Sequence, residues 1–183
     1  MCSIKEISEG QRFQILIPEE EIREKVKALG RRISEDYRER RPILIGVLNG
    51  SFIFLADLIR ELDIDCEVDF VKISSYRDKP HPSGRIELLK GIDCQITGKD
   101  VLIVEDVVDS GRSVKFLKDR LSRFKPRSIK IVSLLVKQRA TKGETEIDYI
   151  GFLIPDHFVV GYGLDFARNF RNLRSIYIMK KRG

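Results

Sequence analysis

The chain has 183 residues, 42% of them hydrophobic and 34% charged, with a formal net charge of +6; this suffices for one full domain and falls short of two ordinary ones. No stretch approaches the roughly 20 apolar residues of a membrane span, and the start, MCSIKEISEG, holds no apolar run of signal-peptide length, so the expected setting is the cytoplasm, with no membrane partner. Three cysteines (Cys2, Cys66, Cys94), never paired as CxxC, and two histidines (His81, His157) argue against a disulfide framework and a thiolate or histidine metal centre. Basic clusters at 38–41, 120–130 and 180–182 suit an anionic partner, nucleic acid or a phosphate-rich small molecule. They fit solvated helix ends and a solvated tail equally well.

In chain order, Pro18 followed by three glutamates reads as the acidic first turn of a helix. Ile22, Val26, Leu29 and Ile33 then give it one buried face. Residues 43–48 are apolar throughout apart from Gly46, as in a strand covered on both faces. Asn49-Gly50 ends that strand, and Ser51 then reads as the cap of a helix, FIFLADLIREL. Residues 67–74 alternate as a strand. Residues 75–85, SYRDKPHPSGR, are a long polar loop of the kind that serves as a lid, and 86–89 resume a strand. A second apolar run at 101–104 leads into Glu105-Asp106-Val-Val-Asp109-Ser110-Gly111-Arg112-Ser113, then a helix to about residue 124. Further strands are expected at 128–136, 147–154, 158–160 and 176–179.

Apolar strands alternating with helices predict the α/β class: a mainly parallel twisted sheet flanked by helices. Ligands on such sheets bind beyond the strand carboxyl ends. The turns at 48–51 and 105–113 lie there, as does the strand end that reaches Lys137.

The 105–113 segment carries the most chemistry. A glycine, two serines and backbone N–H groups at a helix entrance form a turn suited to phosphate. Glu105 and Asp106 just before it can accept hydrogen bonds from two neighbouring hydroxyls, as on a ribose. Together they match a sugar phosphate. The plain alternative is an Asx-turn leading to a helix cap, with exposed acids, but it leaves two acids at a strand end and a third four residues from the first unexplained. No GxxxxGK[ST] loop is present, and Gly161-Tyr162-Gly163 lacks the third glycine of a dinucleotide fingerprint.

VLIVEDVVDSGRS resembles the phosphoribosyl pyrophosphate motif of type I phosphoribosyltransferases. LNGSFIF, SSY with its polar loop, SLLVK, IPDHFVVGYGLDF and NFRNL are similar, in that order, to further segments of the hypoxanthine-guanine branch. The resemblance runs from about residue 12 to 179 and implies that family's fold. One domain over 1–183 is then expected, with a small hood from about 1–17 and 150–183.

The resemblance also implies roles. Glu105 and Asp106 would hold the ribose 2- and 3-hydroxyls, and Val107, Asp109, Ser110, Gly111, Arg112 and Ser113 the 5-phosphate. Asp109 would be the acid/base. Leu48, Asn49 and Gly50, with Arg171, would hold pyrophosphate, with a cis peptide frequent between the first two. Lys137, Phe158, Val159 and Asp165 would bind the purine, and Ser75 and Tyr76 would open the lid. Mg²⁺ would bridge pyrophosphate and ribose oxygens near Glu105, Asp106 and Asp165. The implied partners are phosphoribosyl pyrophosphate and a 6-oxopurine, hypoxanthine or guanine, with IMP or GMP as product. Nucleic acid is not among them, and the implied assembly is a homodimer or homotetramer.

There are departures: Asn49 stands where many relatives carry lysine, Ser110 and Ser113 stand for threonines, and the lid is basic and proline-rich. The alternatives are a nucleic-acid-binding regulator on the same scaffold, disfavoured by the presence of Asp109, Lys137 and Arg171, and a sister enzyme using xanthine or a pyrimidine.

Overall fold

The computed structural model describes residues 13–75, 86–140 and 146–179. Tyr76, expected in the lid, lies outside them. The elements are β1 (Phe13–Ile17), α1 (Glu19–Asp36), β2 (Ile43–Leu48), α2 (Phe52–Arg60), β3 (Glu67–Ser75), β4 (Ile86–Lys90), β5 (Asp100–Val108), α3 (Arg112–Ser122), β6 (Ser128–Lys137), β7 (Tyr149–Ile154), β8 (Val159–Val160) and β9 (Ile176–Met179). None of the described helices is long and apolar enough to cross a membrane.

A six-stranded sheet runs β4-β3-β2-β5-β6-β7. Its strands pair in parallel except β4, which runs antiparallel to β3 at one edge. The fully apolar runs serve two cores at once, because successive side chains point to opposite faces. On β2, Leu44 joins Ile22, Val26 and Ile33 of α1 and Phe54, Leu55 and Leu58 of α2. Ile43, Ile45 and Val47 face the other way, toward Leu117 and Leu121 of α3. Strand β5 divides likewise, with Leu102 and Val104 in the first cluster and Val101 and Ile103 in the second. Burying each such side chain stabilises the fold by about 1.5–3 kcal/mol, which holds the central strands, and thus their carboxyl ends, in place.

A separate three-stranded antiparallel sheet, β1-β9-β8, sits beside the large one. Strand β7 was expected in this hood but pairs with β6 in the large sheet. Its Tyr149 and Ile154 are fully covered there, in the cluster of α1 and α2. The hood is tied to the helices by polar contacts. Ser175 Oγ accepts the Glu19 N–H at 3.1 Å, Arg174 pairs with Glu19 at 2.8 Å, and the Tyr162 hydroxyl donates to Asp57 at 2.6 Å.

Three local expectations need correction. Pro18 precedes α1 as an extended N-cap rather than forming its first turn. Ser51 makes no side-chain cap on α2; its hydroxyl turns back to donate to the Val47 carbonyl at 2.7 Å, and its carbonyl receives the Leu55 N–H at 2.8 Å. Strand β5 does not stop at residue 104. It continues through both acids to Val108, pairing Glu105 with Ser133 and Val108 with Val136.

Candidate active site

Three chain reversals meet beyond the carboxyl ends of β2, β5 and β6. The first follows β2, where the Leu48–Asn49 peptide is cis. Gly50 then passes so close to the Asp106 side chain that a Cβ on it would lie 1.7 Å from Oδ2, so a larger residue there would displace that carboxylate. Behind it, a Cβ on Gly163 would lie 2.1 Å from the Gly50 carbonyl oxygen, and Gly163 has φ +96°, a region that side chains avoid. The 48–50 turn is thus pressed between Asp106 and the 161–164 segment.

The second reversal follows β5. The N-cap of α3 is Gly111, at φ 75°, so neither Asp109 nor Ser110 caps the helix and the Asx-cap alternative does not hold. The first turn of α3 contains no acid. Its first N–H groups, which lack intrahelical acceptors, and its positive dipole end lie next to the exposed Ser110 and Arg112 and the half-buried Ser113.

Glu105 is buried, 6% exposed, and hydrogen-bonds with the carboxyl of Asp106. Burial first, then the charge of Asp106, pushes Glu105 well above the ordinary carboxylate range. Burial pushes Asp106 up to about 6, although backbone N–H groups, Glu105 and the positive charge of Arg171 pull it back. Both carboxyls of the pair thus lie above their ordinary range, Glu105 the more strongly.

The third reversal follows β6. Lys137 Nζ, on a side chain 11% exposed, stands 3.2 Å from Asp109 Oδ1 and 3.4 Å from Asp156 Oδ1. Arg139 Nε donates to the same Asp109 oxygen at 2.9 Å, its Nη2 contacts that oxygen too, and its Nη1 donates to Asp156 Oδ2 at 2.9 Å. Burial raises the Asp109 carboxyl, but the hydrogen bonds from Arg139 and Lys137 and their charges outweigh it and hold the group below its usual range.

The remaining wall comes from the 158–171 segment. Phe158, 48% exposed, meets Phe166 edge to face at 5.8 Å. Val159 is buried and pairs with Ile178 of β9. Arg171 donates to the Gly163 carbonyl at 2.6 Å and pairs with Asp165 Oδ1 at 2.7 Å, while Asp165 Oδ2 accepts the Arg168 N–H at 2.7 Å.

These walls enclose a cavity of about 410 Å³ lined by Asn49, Gly50, Asp106, Val107, Asp109, Lys137, Phe158, Val159, Asp165 and Arg171, all singled out in the sequence, and by Leu164, which was not. Leu48 and Glu105 stand behind this lining, and the 110–113 turn flanks it next to Asp109. Ser75 ends β3 opposite Ile86 of β4. Sequence reasoning also missed Arg139 and Asp156. Their only signal was opposite charge in the turns after β6 and β7, near Lys137 and Phe158.

Another cavity, of about 430 Å³, lies between α1, α2 and residues 172–174. Four of its charged groups pair with one another, as Arg174–Glu19 at 2.8 Å and Arg60–Asp57 at 3.9 Å.

A single cavity thus presents one acid of a hydrogen-bonded acid pair, an ammonium beside a carboxylate, an accessible aromatic face and an arginine. That set can grip a diol, accept a proton, donate to a carbonyl oxygen, stack a planar ring and neutralise an anion.

The phosphoribosyl transferase domain model matches residues 17–167. The chain is 44% identical to the hypoxanthine-guanine phosphoribosyltransferase of Bacillus subtilis over 91% of its own length and 93% of that protein. It is 42% identical to the bifunctional protein TilS/HprT of Listeria monocytogenes, again over 91% of its length, but it spans only 26% of that longer protein. Among solved structures, a hypoxanthine-guanine phosphoribosyltransferase from Bacillus anthracis superposes with a TM-score of 0.85 at 45% identity, covering 90% of this chain and 97% of that one.

Proposed function

The chain belongs to the phosphoribosyl transferase family, and on that premise we propose that it moves the 5-phosphoribosyl group of phosphoribosyl pyrophosphate to N9 of hypoxanthine or guanine, a purine-salvage reaction giving IMP or GMP. The observation that carries this reading is that one cavity is lined by Asp106, Asp109, Lys137 and Phe158 together. A sugar and a 6-oxopurine match that set of groups.

At the sugar end, Glu105 and Asp106 take the ribose hydroxyls; hydroxyl donors stabilise carboxylates that burial has left high. The 5-phosphate sits on the turn from Asp109 to Ser113, where backbone N–H groups and the helix dipole favour an anion. Pyrophosphate lies against Leu48, Asn49 and Gly50. Arg171 supplies positive charge there, and the side chain of Asn49 adds none.

At the purine end, Phe158 stacks on the ring and Lys137 donates to the 6-oxo group. Adenine would instead point an amino donor at a cation, and sites of this kind reject such a mismatch strongly. Main-chain carbonyls of Val159 and Asp165 accept from the 2-amino group of guanine and disfavour the 2-oxo group of xanthine.

In the transfer, the N9 lone pair forms a bond to the anomeric carbon while the bond to pyrophosphate breaks, its electron pair leaving with the pyrophosphate oxygen. The purine N7 proton passes to the Asp109 carboxylate. General-base help of this type is worth roughly 10²–10⁴ in rate.

The paired oxygens of Glu105 and Asp106 are hard donors that suit Mg²⁺. Among the described residues no group of three or more His, Cys, Asp or Glu converges on one point, so an ion there would draw most ligands from the donor phosphates and water. When bound it supplies charge neutralisation for the departing pyrophosphate. The Asp165 carboxylate is committed to Arg171 and the Arg168 N–H, so a second ion would meet it through water.

A spectrophotometric assay with each free base, phosphoribosyl pyrophosphate and Mg²⁺ tests the proposal. Nucleotide should form from hypoxanthine and guanine and hardly at all from adenine or xanthine. Turnover of adenine alone, or of no base, would refute it.

A further inference from the structure

Arg139 and Asp156 contact Asp109 and Lys137 of the cavity wall from outside its lining, and neither has a part in the transfer as described above. With Lys137 and Asp109 they form a ring of alternating charge, neutral overall: two cations each bridge the same two carboxylates. Arg139 reaches Asp109 twice over, because its Nε also faces the Asp109 main-chain oxygen at 3.2 Å. The charged groups facing the Asp109 carboxylate include Lys137 and Arg139, both from the end of β6 onward, with Asp156 after β7 one step further out.

The two cations differ in setting. Lys137 is 11% exposed, while Arg139 and Asp156 are 49% and 50% exposed. Lys137 lines the cavity and Arg139 does not. For the Lys137 ammonium to meet a purine oxygen it must loosen its hold on these carboxylates. Without a second cation, two anions would then stand together beside the reacting base. The planar guanidinium can keep both, since its fork bridges two carboxylates at once, which an ammonium does poorly.

We propose that Arg139, anchored by Asp156, is a positioning residue that holds the Asp109 carboxylate in place while Lys137 turns to the purine. The proposal rests on the phosphoribosyl-transfer reading and adds to it a residue acting through Asp109 without touching substrate. Losing Arg139 removes an opposite charge and two donors from Asp109, so its carboxyl is protonated at higher pH.

The test is the pH profile of purified Arg139→Gln, Arg139→Lys and Asp156→Asn beside the native chain, with hypoxanthine as the varied substrate. In Arg139→Gln the acid limb of kcat/KM should move up by about 1 pH unit. Well below that limb kcat/KM should fall roughly tenfold, with the KM for phosphoribosyl pyrophosphate unchanged. The same shift should persist in kcat, which reports the complex in which Lys137 has already moved. Arg139→Lys should recover part of the loss, and Asp156→Asn should shift the limb in the same direction by less. Because Arg139 is half exposed, these variants should keep the native Tm.

An acid limb that stays put in both Arg139 variants, or a fall that affects both substrates equally with no pH signature, overturns the inference while leaving the transfer reaction standing. A native chain that makes no nucleotide overturns the transfer reading, and this inference with it.

Discussion

Two acidic sites on the same sheet have opposite characters. Asp69, in β3, accepts the N–H of Phe70 at 2.6 Å through one oxygen and those of Asp93 and Cys94 at 2.6 and 3.0 Å through the other. Burial would raise it, but these bonds win and hold it down to about 2. Glu105 and Asp106, on β5, have each other as neighbours, and both lie above the usual carboxylate range. An acid the protein satisfies fully is part of its framework; here it pins the chain between β4 and β5. Acids left crowded beside a cavity hold their hydrogen-bonding capacity for something that arrives from outside.

If that contrast is right, removing acids should cost activity in one place and stability in the other. The largest effect should come from Asp109→Asn, with turnover down roughly 10²–10⁴-fold and Tm and donor affinity retained; near-native turnover would remove Asp109 from its role. Lys137→Gln should lower kcat/KM for hypoxanthine about 10–100-fold, the worth of a hydrogen bond from a charged group, and an unchanged value would contradict its contact with the 6-oxo group.

Asp69→Ala should behave in the reverse way. Its three N–H donors lose their acceptor, so denaturant unfolding should show a loss of roughly 2–3 kcal/mol, with kcat/KM of the folded fraction unaltered. The native chain should show the same contribution through pH. The folded value, about 2, lies below the ordinary value of about 3.9. The stabilisation is therefore fully present above about pH 4 and is lost as pH falls through about 2, a change of roughly 2 kcal/mol that the alanine variant should lack.

Glu105→Gln gives the smallest stability effect and the sharpest contrast. A raised carboxyl weakens the fold at neutral pH, so the amide should leave Tm equal or slightly higher while weakening donor binding. A clear drop in Tm would make Glu105 a framework acid like Asp69.

How much of this was legible in the sequence follows from what each signal measures. β2 could be bounded correctly because an apolar run ends where burial ends, and the α1 face because Ile22, Val26, Leu29 and Ile33 recur at helical spacing. The same signal ended β5 too early. Glu105 and Asp106 look like the end of a strand, yet the ladder to β6 is made by backbone groups and passes through them. Ser51 looked like a cap because only its type was visible, whereas its hydroxyl points back to Val47. The lining residues were found because their segments resemble a family, which transfers whole motifs. Arg139 and Asp156 lie in turns, where charge has no periodicity, and only the fold shows them bridging the same partners.

The most direct test of the central claim is a crystal structure of the chain with GMP. The 5-phosphate should lie on the 110–113 turn, the ribose hydroxyls at Glu105 and Asp106, and the base between Phe158 and Lys137. A phosphate bound anywhere else, with that turn untouched, would contradict it.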